Sequence, residues 1–214
     1  MEQQDVLISG AGIAGPAVAY WLRRAGFRPT LVERAPAPRP GGQAVDLRGA
    51  GRTVTERMGL LDRVRAVALE QKGFAYVDAG GRITARMPAD AFGGEGIVSE
   101  IEVLRGDLCQ VLYEASLPDT EYLFDDTVTG IEQDGDGVAV TFEKARARRF
   151  SLVVGADGLH SAVRQFAAHG FTGEDRPILT PELPLVATGF PVSETLERFG
   201  RPRELLGADH VLNA

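Results

Sequence analysis

Residues 5–33 read D-V-L-I-S-G-A-G-I-A-G-P-A-V-A-Y-W-L-R-R-A-G-F-R-P-T-L-V-E, and this stretch decides the fold. Val6, Leu7 and Ile8 are a short apolar run that reads as a buried strand. Gly10, Gly12 and Gly15 follow in the spacing G-x-G-x-x-G. Ile13 to Ala25 has helical character, Gly26 supplies a stop and Pro29 prevents continuation. Leu31 and Val32 form a second apolar run that ends in Glu33. Strand, tight turn, helix, strand and acid in this order predict a βαβ unit of the dinucleotide-binding type.

Each glycine has a physical task there. Gly10 allows the sharp turn off the strand, Gly12 lets a pyrophosphate approach the backbone, and Gly15 lets the helix pack on the sheet. The first-turn N–H groups, helped by the helix dipole, then face the phosphates. Pro16 fits because such groups have no intrahelical partner. Glu33 lies 18 positions after Gly15, near the spacing expected for an acid that accepts hydrogen bonds from an adenosine ribose. A carboxylate there repels a 2′-phosphate, so this cleft favours FAD or NAD over NADP.

The totals set the frame. A chain of 214 residues holds one or two domains and a sizeable core. Its formal charge of −7 argues against nucleic acid or an anionic membrane as main partner. The uncharged run Val6 to Leu22 is somewhat short for a membrane span, is glycine-rich and follows acids, so a cytoplasmic protein is expected. Cys109 is the single cysteine, so no intrachain disulfide can form, and it shares a helical face with Arg105, Leu108 and Leu112, so it is expected in the core. His160, His169 and His210 have no metal-ligand spacing, and no metal site is expected.

After Glu33 and Arg34, the loop 35–42 holds prolines 36, 38 and 40, which forbid a helix. Gln43 to Arg48 reads as a strand, Ala50 to Met58 as a helix closed by Gly59, and Leu60 to Leu69 as a second amphipathic helix. Phe74 to Asp78 and Arg82 to Met87 flank Ala79-Gly80-Gly81 as a hairpin. Ala91 to Gly96 is a glycine-rich loop, Ile101 to Leu104 is extended, and Gly106 to Ser116 is helical with Arg105 at its mouth. Glu121 to Phe124, Val128 to Gln133, Val138 to Phe142 and Phe150 to Val154 read as strands. Ser161 is a candidate N-cap for a helix to Ala168. Beyond Phe171, Leu185 to Phe190 suggests a strand, Glu194 to Phe199 a short helix and His210 to Leu212 another strand.

Three further spots carry chemistry. Val153 to Arg164 reads V-V-G-A-D-G-L-H-S-A-V-R, and a buried strand delivers Asp157 to its carboxyl end, where ligands of open α/β sheets bind. A tight turn with Asp157 as a local cap is the alternative. Arg105 opens a helix against the dipole, so an anionic neighbour is expected; a surface arginine packed along its stem is the alternative. Asp46-Leu-Arg48-Gly49 follows the proline loop.

In the order G-A-G-I-A-G, L-V-E-R, D-L-R-G, R-G-D-L and G-A-D-G-L-H-S-A-V-R, the sequence resembles the FAD-dependent aromatic hydroxylases, single-component flavin monooxygenases of the para-hydroxybenzoate hydroxylase fold. Within them it is similar to members acting on polycyclic polyketides and tetracyclines. The resemblance covers roughly Asp5 to Phe171. It implies an α/β fold: a Rossmann-like FAD-binding domain with a mostly parallel sheet over residues 1–175, then the start of a β-rich substrate domain over 176–214, with the hairpin 74–87 contributing to the latter. It also implies roles. Gly10, Gly12 and Gly15, with Ala14 beside them, would hold the FAD pyrophosphate, and Glu33 the adenosine ribose, with Arg34 beside it. Arg105 would reach the flavin's phosphate or ribityl region, Asp46 the flavin, and Arg39 the nicotinamide cofactor. Val128 would meet the adenine through its backbone, and Asp157 belongs to a motif associated with both FAD and the pyridine nucleotide.

The chemistry implied is reduction of FAD by NADH or NADPH, addition of O2 to give a C4a-hydroperoxide, and oxygen transfer to an aromatic or polycyclic substrate. FAD fills the cleft that disfavours NADP, so either pyridine nucleotide stays open as the reductant. The cofactor does the hard chemistry, and no catalytic side chain is assigned. The chain departs from the family in ending at Ala214 without the later G-D-A-A-H motif, so it reads as a first half, with a second chain as one source of the rest. Two other readings stay open: another flavoenzyme on this scaffold, such as a halogenase or reductase, and a nucleotide-binding module without redox chemistry. The halogenase motif W-x-W-x-I-P is absent, and the sole tryptophan, Trp21, is expected in the core.

Overall fold

The computed structural model describes residues 4–70, 72–88, 99–158, 161–170 and 185–187, the last three and 167–170 through their backbone only. The elements run β1 (Asp5–Ser9), α1 (Ala14–Arg24), β2 (Arg28–Glu33), β3 (Ala44–Asp46), α2 (Gly49–Arg57) and α3 (Leu61–Ala66). A hairpin of β4 (Gly73–Val77) and β5 (Ile83–Pro88) follows, then β6 (Glu102–Leu104), α4 (Arg105–Ser116) and β7 (Glu121–Phe124). The rest is β8 (Val128–Asp134), β9 (Gly137–Phe142), β10 (Arg148–Phe150), β11 (Leu152–Gly155), α5 (Ala162–Gly170) and β12 (Leu185–Ala187). The chain divides into two compact units, residues 39–111 and the remainder.

The larger unit holds a five-stranded sheet in the order β12-β11-β1-β2-β7, with every neighbouring pair parallel. This is the α/β, Rossmann-like fold expected from the βαβ signature. Strand alternation sends Val6 and Ile8 to one face and Leu7 to the other. On the first face Val6, Ile8, Leu31 and Val154 pack with Ala19, Leu22 and Phe27. On the second, Leu7, Val32 and Val153 pack with Val163 and with Val138, Val140, Phe142 and Phe150 of the antiparallel sheet β10-β9-β8. Helix α1 ends as the glycine stop predicts. Gly26 has φ +90, its N–H reaches the Arg23 oxygen and the Phe27 N–H the Leu22 oxygen, each at 3.0 Å, a Schellman pair.

The smaller unit contains the antiparallel pair β3-β6, helices α2 and α3, and the β4-β5 ribbon. Phe74, Tyr76, Val77 and Ile83 of the ribbon are exposed.

Three expectations are corrected. Phe150 to Val154 is two strands rather than one. The chain leaves the antiparallel sheet at Ser151, whose N–H and hydroxyl both donate to the Asp5 oxygen, at 2.9 and 2.7 Å. The second helix stops at Ala66 instead of reaching Leu69, because the Leu69 N–H is taken by the Glu102 oxygen at 2.7 Å. Trp21 is 38% exposed rather than core; α1 turns Ala19 and Tyr20 inward, and Trp21 meets the Tyr20 ring edge-on. Cys109 is buried as expected. The loop Ala91 to Gly96, the helix Glu194 to Phe199, the strand at His210 and the end of the strand to Phe190 lie outside the described residues.

Candidate functional site

The strand order fixes where a ligand can sit. From β1 the chain goes outward through β2 to β7, then returns to place β11 and β12 on the other side of β1. The switch point therefore lies between β1 and β11, and open α/β sheets bind ligands at the carboxyl ends there. Gly10 leaves β1 at that point, and Ala156 and Asp157 leave β11.

The two turns are in backbone contact. The Ala156 N–H donates to the Ser9 oxygen at 2.7 Å, and the Gly10 N–H to the Val32 oxygen at 2.8 Å. Gly10 adopts φ +105, and a β-carbon there would stand 2.5 Å from the Ala156 oxygen and 2.8 Å from the Asp157 Cα. A β-carbon on Gly15 would overlap the Gly10 carbonyl oxygen and come within 3.3 Å of Leu31 Cδ1. The first glycine is thus required twice over, by its dihedral and by the neighbouring turn, and the third brings α1 down onto the turn. Gly12 lies in the bend and Ala14 opens α1, exposed. Among the described residues no side chain caps the start of α1, and its first turn holds no acid. Its N–H groups and dipole suit an anion.

Glu33 closes the turn from the β2 side. Its Oε2 accepts the Ala11 N–H at 2.8 Å and its Oε1 the Ala35 N–H at 2.9 Å. Arg34 beside it is exposed. Asp157 is the helix cap that the simpler reading anticipated. Its Oδ2 accepts the Ala162 and Val163 N–H groups at 2.8 and 3.3 Å, and the Ser9 hydroxyl at 3.3 Å. Its Oδ1 is buried and, among the described residues, has no partner, an acceptor left over at the switch point. Ser161 shares the capping as expected, taking the Arg164 N–H at 3.0 Å. The Val128 side chain is buried in the core beneath β8.

Arg39, Asp46 and Arg105 belong to the smaller unit. Asp46 pairs with Arg48 at 3.0 Å. Arg39 and Arg105 are exposed, and Arg105 opens α4 with its N–H on the Gln43 oxygen at 2.9 Å. The proline loop rests on the start of that helix: the Gly106 N–H donates to the Gly41 oxygen at 2.7 Å, and a β-carbon on Gly106 would overlap the Gly41 backbone. The larger unit thus brings Gly10, Gly15, Glu33 and Asp157 together, while in the smaller one the contact is between the loop after Arg39 and the start of α4 at Arg105.

Sequence reasoning missed Ser9, Gly106 and Asp126. Ser9 directly precedes the first glycine, and Gly106 directly follows the arginine; both were legible as neighbours of a motif. Asp126 had no motif around it, and apart from the adjacent Thr127 N–H its side-chain partners lie 18 and 19 residues away.

Comparison with known proteins places this geometry. The sequence model of the family described as FAD binding domain matches residues 3–210. An uncharacterized protein of Mycobacterium tuberculosis is 50% identical over 166 residues, 76% of this chain and 44% of its own. A flavin-dependent monooxygenase from an unknown prokaryotic organism is 42% identical over 159 residues, 74% of this chain and 40% of its own. The crystal structure of the tetracycline destructase Tet(51) aligns with a TM-score of 0.64 at 41% identity, covering 77% of this chain and 42% of that one. The chain spans about two fifths of the length of the curated relatives it matches.

Proposed function

This chain belongs to the FAD binding domain family, and from that premise we propose that it forms the FAD-binding part of a flavin-dependent monooxygenase. The observation that carries the reading is the meeting of Gly10, Glu33 and Asp157 at the carboxyl ends of β1, β2 and β11. A dinucleotide laid across this switch point finds a glycine turn without β-carbons, the open first turn of α1 and a carboxylate hydrogen-bonded to the Ala11 N–H of that turn.

The residues then divide the cofactor among them. Gly10, Gly12, Ala14 and Gly15 hold the pyrophosphate on the backbone. Glu33, with Arg34 beside it, takes the adenosine ribose, its carboxylate held in place by the Ala11 and Ala35 N–H groups and accepting the ribose hydroxyls on its remaining lone pairs. Val128 meets the adenine through its backbone. Arg105 and Asp46 serve the flavin end, and Arg39 meets the nicotinamide of NADH or NADPH. Asp157 holds α5 at the switch point through Oδ2, and its buried Oδ1, without a partner among the described residues, is a spare acceptor beside the glycine turn. Bound flavin supplies the redox chemistry with NAD(P)H and O2; the side chains bind, orient and exclude water. The substrate class is aromatic or polyketide-like, in line with the tetracycline destructase among the similar structures. The complete reaction belongs to this chain together with the polypeptide that its relatives carry beyond the match, in the same chain or a partner. No described helix is long and apolar enough to cross a membrane, and a cytoplasmic setting suits the reading.

The test is a visible spectrum of the purified protein after adding FAD and desalting, joined to a fluorescence titration with FAD. Retained flavin bands and saturable binding are expected, with NADPH and NADH oxidation measured next. A chain that gives neither bands nor saturable quenching overturns the reading for this polypeptide.

A further inference from the structure

The turn between β7 and β8 carries a side chain that the nucleotide reading leaves unused. Asp126 is only 5% exposed although it lies in a loop. Its Oδ1 accepts the Thr127 and Lys144 N–H groups at 2.8 and 3.0 Å, and its Oδ2 the Ala145 N–H at 2.8 Å. One carboxylate thus gathers amides from both open ends of the β8-β9 hairpin. Burial pushes its pKa up, but the amide bonds from Ala145, Lys144 and Thr127 outweigh burial and hold it below the ordinary value, so it stays ionised.

The same turn grips the exit of β2. The Asp125 N–H donates to the Ala35 oxygen at 2.9 Å and the Asp126 N–H to the Glu33 oxygen at 3.2 Å. Asp125 takes φ +58 to do so, and Lys144 Nζ meets its carboxylate at 2.6 Å. The Glu33 side chain holds the Ala11 and Ala35 N–H groups. Hydrogen bonds from residues 144 and 145 to the Asp126 carboxylate, from the Asp126 N–H to the Glu33 oxygen and from the Ala11 N–H to the Glu33 carboxylate, joined through the covalent frames of Asp126 and Glu33, therefore link the hairpin to the glycine turn.

We propose that Asp126 is a positioning residue for the nucleotide site: it holds the Glu33–Ala35 backbone so that the Glu33 carboxylate faces Ala11, and thereby sets affinity for the adenosine half of FAD. The ligand named here rests on the FAD reading; the link from Asp126 to Ala11 stands apart from it.

Asp126→Asn keeps the volume but turns one acceptor into a donor facing an amide. The first readout is amide hydrogen exchange by NMR on the 214-residue chain. The Ala11 and Ala35 amides should exchange roughly tenfold faster, while those of Leu7 and Ile8 keep their protection. Val138→Ala, which hollows the core under β9, is the control for general destabilisation and should leave the ratio of Ala11 to Leu7 exchange unchanged. The second readout is titration with FAD and with ADP, which D126N should weaken by the same factor because only the adenosine half is touched. If D126N does not fold, Asp126→Glu, which keeps the charge but displaces it by one methylene, carries the same expectation. Unaltered Ala11 exchange in the Asp126 variant, or an equal change in Val138→Ala, overturns the proposal. A wild-type chain that binds no FAD overturns the FAD reading instead, and the exchange result still decides this one.

Discussion

A β-carbon on Gly10 would stand 2.5 Å from the carbonyl oxygen of Ala156, so the turn after β1 is seated directly on the turn after β11. The two motifs, nearly 150 residues apart in sequence, form one backbone unit at the switch point of the sheet.

Gly10→Ala should therefore cost both stability and nucleotide binding. The dihedral of φ +105 alone is worth about 1–3 kcal/mol to a residue with a β-carbon, and the overlap with Ala156 adds to it. Urea unfolding should show a lower midpoint at unchanged slope, and FAD titration a weaker complex. A midpoint equal to wild type would mean that the two turns are not in contact.

Glu33→Gln is a narrower change. Both carboxylate oxygens accept backbone N–H groups, from Ala11 and Ala35. A glutamine amide keeps one acceptor and sets a donor against the other N–H. The expected loss is about 1 kcal/mol of stability, with a larger loss of FAD affinity, because the ribose hydroxyls lose the same acceptor. Calorimetric FAD titration of variant and wild type gives the comparison, and equal affinities would remove Glu33 from the ribose role.

These positions were legible in the sequence because their signals are local. Gly10, Gly15 and Glu33 stand within one strand-turn-helix-strand, where spacing and apolar runs say nearly everything. Ser151 was not legible. Phe150 to Val154 reads as one apolar run, and only the Asp5 oxygen, delivered by a strand at the other end of the chain, divides it between two sheets. Asp126 was hidden for the same reason, since a loop carboxylate becomes buried only where distant amides come to meet it. Trp21 misled in the opposite direction: a large apolar side chain on an amphipathic helix suggested core, but the register of α1 is set by Gly15 and Ala19 against the sheet.

Asp126 should shape the acid limb of stability. Its folded pKa lies below the ordinary value of 3.8. As pH falls past that value the unfolded chain takes up the proton first, so the contribution is full above the unfolded pKa and is lost as pH falls through the folded one. The stability gap between wild type and Asp126→Asn should be constant near neutral pH and narrow below about pH 4. Asp78, lowered by the Arg82 backbone amide and guanidinium, Glu100, lowered by Arg52 and Arg65, and Asp134, lowered by Arg149 and backbone amides, are common to both proteins and cancel in the difference. Unfolding midpoints across the acid range provide the check, and a gap that widens with acid would contradict the sign.

Ser151 offers a graded test of the sheet switch. Ser151→Ala removes the 2.7 Å hydroxyl bond to the Asp5 oxygen and leaves the 2.9 Å N–H bond, so the loss should be about 1 kcal/mol. Ser151→Pro removes both donors to that carbonyl, and the loss should exceed that of the alanine variant. Because Ser151 meets β1 at its amino end, while the glycine turn lies at the carboxyl end, the alanine variant should keep wild-type affinity for FAD despite its lower unfolding midpoint. Loss of affinity in step with stability would show instead that the start of β1 and its glycine turn yield together, and that the sheet transmits strain along the strand rather than isolating its two ends.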